Sequence, residues 1–345
     1  MPFSHSPATE FLKVSPCIGQ PPSNPATSRL FQPIQVGNMK LNHRIVLPPL
    51  TRNHNDDDHT PLPMMLAKIT PPGFFNECQT TAWKEVIDAV HAEGSYYFQQ
   101  IWGMGRASYP EFMAQKGLSY RTSSAVPMEG VDAIPEEIPE EEVLDVIQDF
   151  VNTAKRVISA GGDVVEIHCA HGYLLDQFFS DVVNPTHRSM GWIDLNRARL
   201  VLEVVTAAAD AIGAERVGLR LSPYAAFQGA GKGDIYCQYL YVVRKLKDMA
   251  VPLAYLSLVE AAGDPGTMLF GSKTVNQERT LDFILEAWNN WSPVIWKTLV
   301  APGRHFLANP DLFFRIQNGI ELNKYVRSTF YLAKSEEYLA TKGKV

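Results

Sequence analysis

From Arg44 onward, apolar runs short enough to be buried strands alternate with stretches whose apolar positions recur at helical spacing. RIVLPPL reads as a strand closed by Pro48 and Pro49, TTAWKEVIDAVHAEG as a helix stopped by glycine, and YYFQQIW as the next strand. Residues 103–138 break this rhythm with Gly, Ser and Pro. They exceed an ordinary strand-to-helix connection and form a surface excursion suited to covering a substrate. An acidic run near Pro139 then opens a helix through Ala160, followed by a strand at Val164–Ile167 and a helix in NRARLVLEVVTAAADAIG. ERVGLRLSP is a strand with Arg220 near its end, and DIYCQYLYVVRKLKDMA a helix. AYLSLVE, a helical stretch around Leu281 to Trp288, PVIWKTLV and a short terminal helix in APGRHFLANPDLFFRIQNG complete the series. The repeat predicts an α/β fold of the TIM (β/α)8 type, with its active site where the C-terminal strand ends meet the loops.

Composition narrows the functional classes. The chain has 345 residues, 46% of them hydrophobic, which suffices for a full core. Its 31 Lys and Arg against 37 Asp and Glu give a net charge of −6, so bulk electrostatics favours neither nucleic acid nor an anionic membrane. Four cysteines make neither a disulfide scaffold nor a paired metal motif. The first 28 residues are broken by Pro and Ser and read as an N-terminal extension rather than a secretory leader, and no stretch reaches the roughly 18 apolar residues of a membrane helix. The expectation is a cytoplasmic protein with a single barrel-like domain over 29–345.

Chemistry concentrates in His168-Cys169-Ala170-His171-Gly172-Tyr173, just beyond a predicted strand. Two histidines three apart can serve as metal ligands, as structural hydrogen-bonding groups, or as paired donors to a carbonyl oxygen or cofactor. A metal would need further ligands that no spacing identifies, and none is assigned. Two imidazoles holding a polarised oxygen, with Tyr173 delivering a proton, form a coherent set. Arg220 suits either a carboxylate partner or a cofactor, and Arg304 beside Gly303 either a phosphate or a barrel-end turn. Trp102 suits a pocket wall or ordinary packing. Cys169 receives no catalytic role.

Over most of Phe31 to Tyr325 the chain resembles the Old Yellow Enzyme family of flavin-dependent ene-reductases, which fold as TIM barrels. The resemblance is carried by LFQPIQVGNMKLNHRIVLPPLTR, QIWGMGRA, VEIHCAHGYLLDQFFSDVVNPTHRS, NRARLVLEVV, VGLRLSPY, GRHFLANPDL and NKYVRSTFY, and its flavour is fungal. It implies flavin mononucleotide (FMN) across the barrel mouth, NADPH as reductant, and an activated alkene as substrate. Position by position, it implies flavin contacts for Thr51, Gln100 and Arg220 and a phosphate contact at Gly303 and Arg304. His168 and His171 would bind the substrate carbonyl, Tyr173 would protonate the α-carbon, and Trp102 would line the pocket.

The resemblance also exposes deficits. After PLPMMLAK, only ITPPGFFNECQTT stands where the family carries a helix and the second barrel strand. Thr298 to Ala301 are the only residues between WK and PG, where the family places the end of a seventh strand, a phosphate-binding loop, a helix and an eighth strand. Four residues cannot hold a parallel crossover, which needs about ten or more. Either a strand is missing or a segment is rewired. HRSMGWIDLNR is a third, smaller shortening. The barrel is therefore expected to be modified near strands 2 and 7, and a homodimer would cover the edges so exposed. Three functions follow: an FMN- and NADPH-dependent reductase of enones or enals in fungal secondary metabolism, a flavin-independent isomerase or cyclase using the same pocket, or an inactive ligand-binding relative.

Overall fold

The computed structural model describes residues 28–50, 59–60, 72–185, 194–230, 233–259, 280–295 and 297–326. In chain order the elements are β1 (Ile34–Val36), β2 (Met39–Leu41), α1 (Glu77–Ala92), β3 (Phe98–Ile101), α2 (Pro110–Gln115), β4 (Arg121–Thr122), β5 (Glu136–Glu137) and α3 (Val143–Ser159). There follow β6 (Val164–Cys169), α4 (Leu174–Phe179), α5 (Asp194–Ile212), β7 (Val217–Leu221), α6 (Ile235–Asp248), β8 (Tyr255–Leu258), α7 (Asp282–Trp288), β9 (Val294–Ile295), α8 (Gly303–Ala308) and α9 (Leu312–Asn318). The chain divides into a larger unit, residues 36–38 and 84–296, and a smaller one, residues 1–35, 39–83 and 297–345.

In the larger unit β4 and β5 pair in a separate two-stranded sheet, while five of the described strands form one parallel sheet in the order β3-β6-β7-β8-β9. Its strands follow sequence order because each connection is a crossover, with α3 against α5, α5 against α6 and α6 against α7. All six residues of β6 are buried, as expected of a parallel strand covered on both faces. Register aligns Gln100, Glu166, Gly218 and Tyr255 in one row, and His168, Arg220 and Ser257 two residues on, in the next row of the same face. Gly218 makes room for its neighbour: a Cβ there would sit 2.5 Å from the Tyr255 ring, which stacks on Phe98 at 5.6 Å. The helix expected from Pro139 begins with one tighter turn, Glu140–Glu142, before α3 proper.

In the smaller unit the expected RIVLPPL strand contracts to a single parallel bridge between Ile45 and Val300. Val46 N donates to Val300 O at 2.9 Å and Val300 N to Arg44 O at 2.8 Å. Within the second shortening, Val300 thus keeps one bridge of strand pairing, to Ile45. The expected single terminal helix is two, α8 and α9, because Asn309 interrupts it and ties back to Asn323 at 2.7 and 3.1 Å. Among the described residues no strand lies between Ile45 and Phe98. The remainder of the first shortening, residues 187–193 of the third and residues 1–27 lie outside the described residues, while 194–197 open α5.

Candidate active site

Side chains alternate across β6, so Glu166 and His168 share one face while Cys169 lies on the other, near Tyr239 of α6. His168 is 4% exposed, and its Nδ1 has no hydrogen-bond partner among the described residues. Burial first, then the charges of Arg220 and His171, hold it well below the ordinary histidine range, so the ring is neutral. Its centroid lies 5.6 Å from His171, 5.5 Å from Tyr173 and 6.3 Å from Trp102, and Trp102 meets Tyr173 edge-on at 4.3 Å. Four rings named from the sequence thus converge at the C-terminal end of β6.

The turn that delivers them is tightly specified. His171 adopts φ +57°, uncommon for a residue with a side chain, and its N–H donates to Ser222 Oγ at 2.9 Å. Gly172 follows at φ +75°, and a Cβ there would fall 2.6 Å from the Phe227 carbonyl. Its N–H donates to Asp176 at 2.8 Å. Tyr173 then stands at the start of α4.

Beneath the rings lies a buried polar cluster. Gln100 Nε2 donates to Glu166 Oε1 at 2.5 Å, and Arg220 Nη1 stands 4.0 Å from the same oxygen. Tyr255 shares a hydrogen bond with Glu166, and burial together with that carboxylate pushes its phenol well up. Arg220 therefore has the carboxylate partner that composition alone allowed, yet its buried Nε has no hydrogen-bond partner among the described residues. Glu166, Tyr255 and Ser222 received no role from the sequence. A charged residue inside the otherwise apolar VVEIHC was the available signal for Glu166.

The remaining named residues fall elsewhere. Thr51 lies outside the described residues. Gly303 and Arg304 belong to the smaller unit, where Gly303 N donates to Ala301 O at 3.0 Å and Arg304 Nη1 to Tyr325 Oη at 3.3 Å. A Cβ on Gly303 would fall 3.0 Å from Pro48, so close packing already accounts for the glycine. Among the described residues no three His, Cys, Asp or Glu side chains are disposed to hold a metal ion. Nor is any described helix long and apolar enough to cross a membrane.

Gln100 and Arg220 occupy adjacent rows at the strand ends, and the partnerless Nε of Arg220 suits a planar ligand edge rich in acceptor atoms. That donor chemistry fits the isoalloxazine edge of FMN. A parallel β/α sheet with its polar groups gathered at the C-terminal strand ends defines the class: an α/β enzyme fold of the TIM-barrel type. Residues 67–323 match the model of the NADH:flavin oxidoreductase / NADH oxidase family, and the chain belongs to that family, which includes Old Yellow Enzyme. It is 36% identical to chanoclavine-I aldehyde reductase fgaOx3 of Penicillium roqueforti, over 89% of this chain and 94% of that protein. It is 34% identical to a probable inactive dehydrogenase easA of Claviceps purpurea, over 90% of this chain and 94% of that one. The structure superposes on Old Yellow Enzyme from Pichia sp. AKU4542 with a TM-score of 0.75 and 31% identity, over 91% of this chain and 92% of that one. The first of these alignments runs to 354 positions while covering only part of a 345-residue chain, so the relative has residues that this chain lacks.

Proposed function

We propose that the protein is an FMN-dependent oxidoreductase, reduced by NADPH, that acts on the carbon–carbon double bond of an enal or enone in fungal secondary metabolism. The observation that carries this is the convergence of His168, His171, Tyr173 and Trp102 above the Gln100–Glu166–Arg220 cluster. FMN, when bound, would supply the two-electron chemistry at the β-carbon. Gln100 and Arg220 would hold its ring edge. His168 and His171 would hold the substrate carbonyl oxygen, drawing electron density from the alkene and stabilising the enolate. A neutral His168 suits this role, since it donates one hydrogen bond without surrendering its proton. Tyr173 would deliver the proton to the α-carbon, and Trp102 would wall the pocket.

A second reading is favoured by the four residues that replace the crossover before Pro302. Many TIM barrels bind phosphate in the loops after strands 7 and 8, and here the Gly303 amide is already engaged. A pocket that does not retain flavin would serve a flavin-independent isomerase or cyclase, or a relative that binds without turnover, in keeping with the easA similarity. The deciding experiment denatures freshly purified protein and measures the spectrum and stoichiometry of any released flavin. Near-stoichiometric FMN, with enone-dependent reoxidation after reduction by NADPH, supports the first reading. Absence of flavin after reconstitution, with turnover of a non-redox substrate, establishes the second.

A further inference from the structure

One buried amide links the donor turn to the surface excursion. Gln177, on α4, is 0% exposed, and its side chain makes four hydrogen bonds. Nε2 donates to Gly172 O at 2.6 Å and to Met104 O at 3.0 Å, while Oε1 accepts from Thr122 Oγ1 at 2.6 Å and from Arg106 N at 3.1 Å. Both N–H groups and both lone-pair sites of the amide are used. Gly172 O belongs to the peptide bond joining Gly172 to Tyr173, and the other three partners lie in the excursion.

A second observation points the same way. Gly105 sits at φ +57°, and a Cβ on it would lie 1.9 Å from Gln177 Oε1, so the excursion is shaped around this amide. Arg106, 2% exposed, pins the far side of the excursion by donating to Val126 O, Pro127 O and Gln228 O at 3.1, 3.0 and 2.9 Å. Leu174 N adds a backbone bond to Gly103 O at 2.9 Å. Packing alone would be served by Leu or Met, because a buried amide is costly unless every polar atom is met.

We propose that Gln177 is a positioning residue that locks the His171–Tyr173 turn to the 103–138 excursion, so that the direction of proton delivery to the α-carbon depends on it. The assignment of that proton to Tyr173 rests on the function proposed above. On this account the excursion is a fixed wall bonded to the donor turn rather than a free cover. Gln177→Glu keeps the shape and the accepting oxygen but, when ionised, loses both donated bonds and sets a carboxylate against two carbonyl oxygens.

The test has one readout without turnover and one with it. Hydrogen exchange on Gln177→Glu at neutral pH should show joint loss of protection in 103–107 and 171–174, with β6 and α5 unchanged. Acid should restore part of that protection, as the buried carboxyl regains one proton and with it one of the two donated bonds. With flavin-loaded enzyme and α-methylcyclohexenone, the variant should lose the product's enantiomeric preference and turn over about tenfold or more slowly, since positioned proton transfer is worth at least that. Loss of protection confined to one segment, or a preference equal to wild type, overturns the proposal. Should Gln177→Glu unfold, Gly105→Ala and Thr122→Val press on or release the same amide from the excursion side, and an unchanged preference in both has the same force. A wild-type protein that neither binds flavin nor reduces the enone refutes the proposed function instead, and the exchange experiment still decides the lock.

Discussion

His168 and Arg220 are register partners across β6 and β7, and the guanidinium charge adds to burial in keeping the imidazole neutral. The pairing has a consequence for pH. A histidine depressed in the folded state binds fewer protons there than in the unfolded chain. Its contribution is complete above the unfolded value of about 6.5 and declines as pH falls below it. Urea unfolding should show stability dropping between about pH 7.5 and about pH 5.5, with a smaller drop in His168→Asn. Equal slopes in the two proteins would show that His168 is not the group responsible.

Glu166→Gln preserves shape and removes charge. The bond from Gln100 ceases to be charge-assisted and Arg220 loses the carboxylate 4.0 Å away. Stability should fall by about 1–3 kcal/mol, read by denaturant unfolding, and on the proposed function flavin titration should show weaker binding, because Gln100 and Arg220 both lose their anchor. Wild-type affinity would separate the cluster from cofactor binding.

Tyr173→Phe removes one hydroxyl from the ring cluster and leaves Gln100 and Arg220 untouched. Turnover of a substrate whose product needs enzymatic protonation should fall by about a hundredfold or more, while flavin content stays at the wild-type level. Unchanged turnover would remove Tyr173 from the reaction.

Gly172→Ala meets both a positive φ and a carbonyl 2.6 Å from the new methyl, whereas Gly94→Ala meets a positive φ of +71° with nothing within 4 Å. Gly94→Ala should cost about 1–2 kcal/mol, the usual penalty for a left-handed residue. Gly172→Ala should cost more and reduce activity out of proportion, measured by thermal unfolding beside turnover. Equal costs would mean that the Phe227 carbonyl yields easily.

How far the chain could be read in advance differs from element to element. Val164–Ile167 and the strand bearing Arg220 were legible as short apolar runs, and the helix ending at Ile212 by apolar positions at helical spacing, because each signal is written in the element's own residues. The His168, His171 and Tyr173 group was legible because its members lie within six residues of one another. Gln177 stood in the same motif without any sign of its partners, since Met104, Arg106 and Thr122 lie far away in the chain. Arg106 was equally silent: a buried guanidinium bonded to three carbonyls has no local pattern, because its partners are backbone atoms of any residue type.

By itself, the sequence determined the alternation of strand and helix, the place of the donor turn beyond a buried strand, and the four-residue gap that rules out a crossover before Pro302. These are local quantities, set by hydrophobic period, turn chemistry and chain length. Only the tertiary structure decided that Val300 pairs with Ile45, that Glu166 meets both Gln100 and Arg220, and that one buried amide joins the excursion to the His171–Tyr173 turn. Those relationships depend on register between strands and on which buried polar atoms find partners. Both are fixed when distant segments pack together.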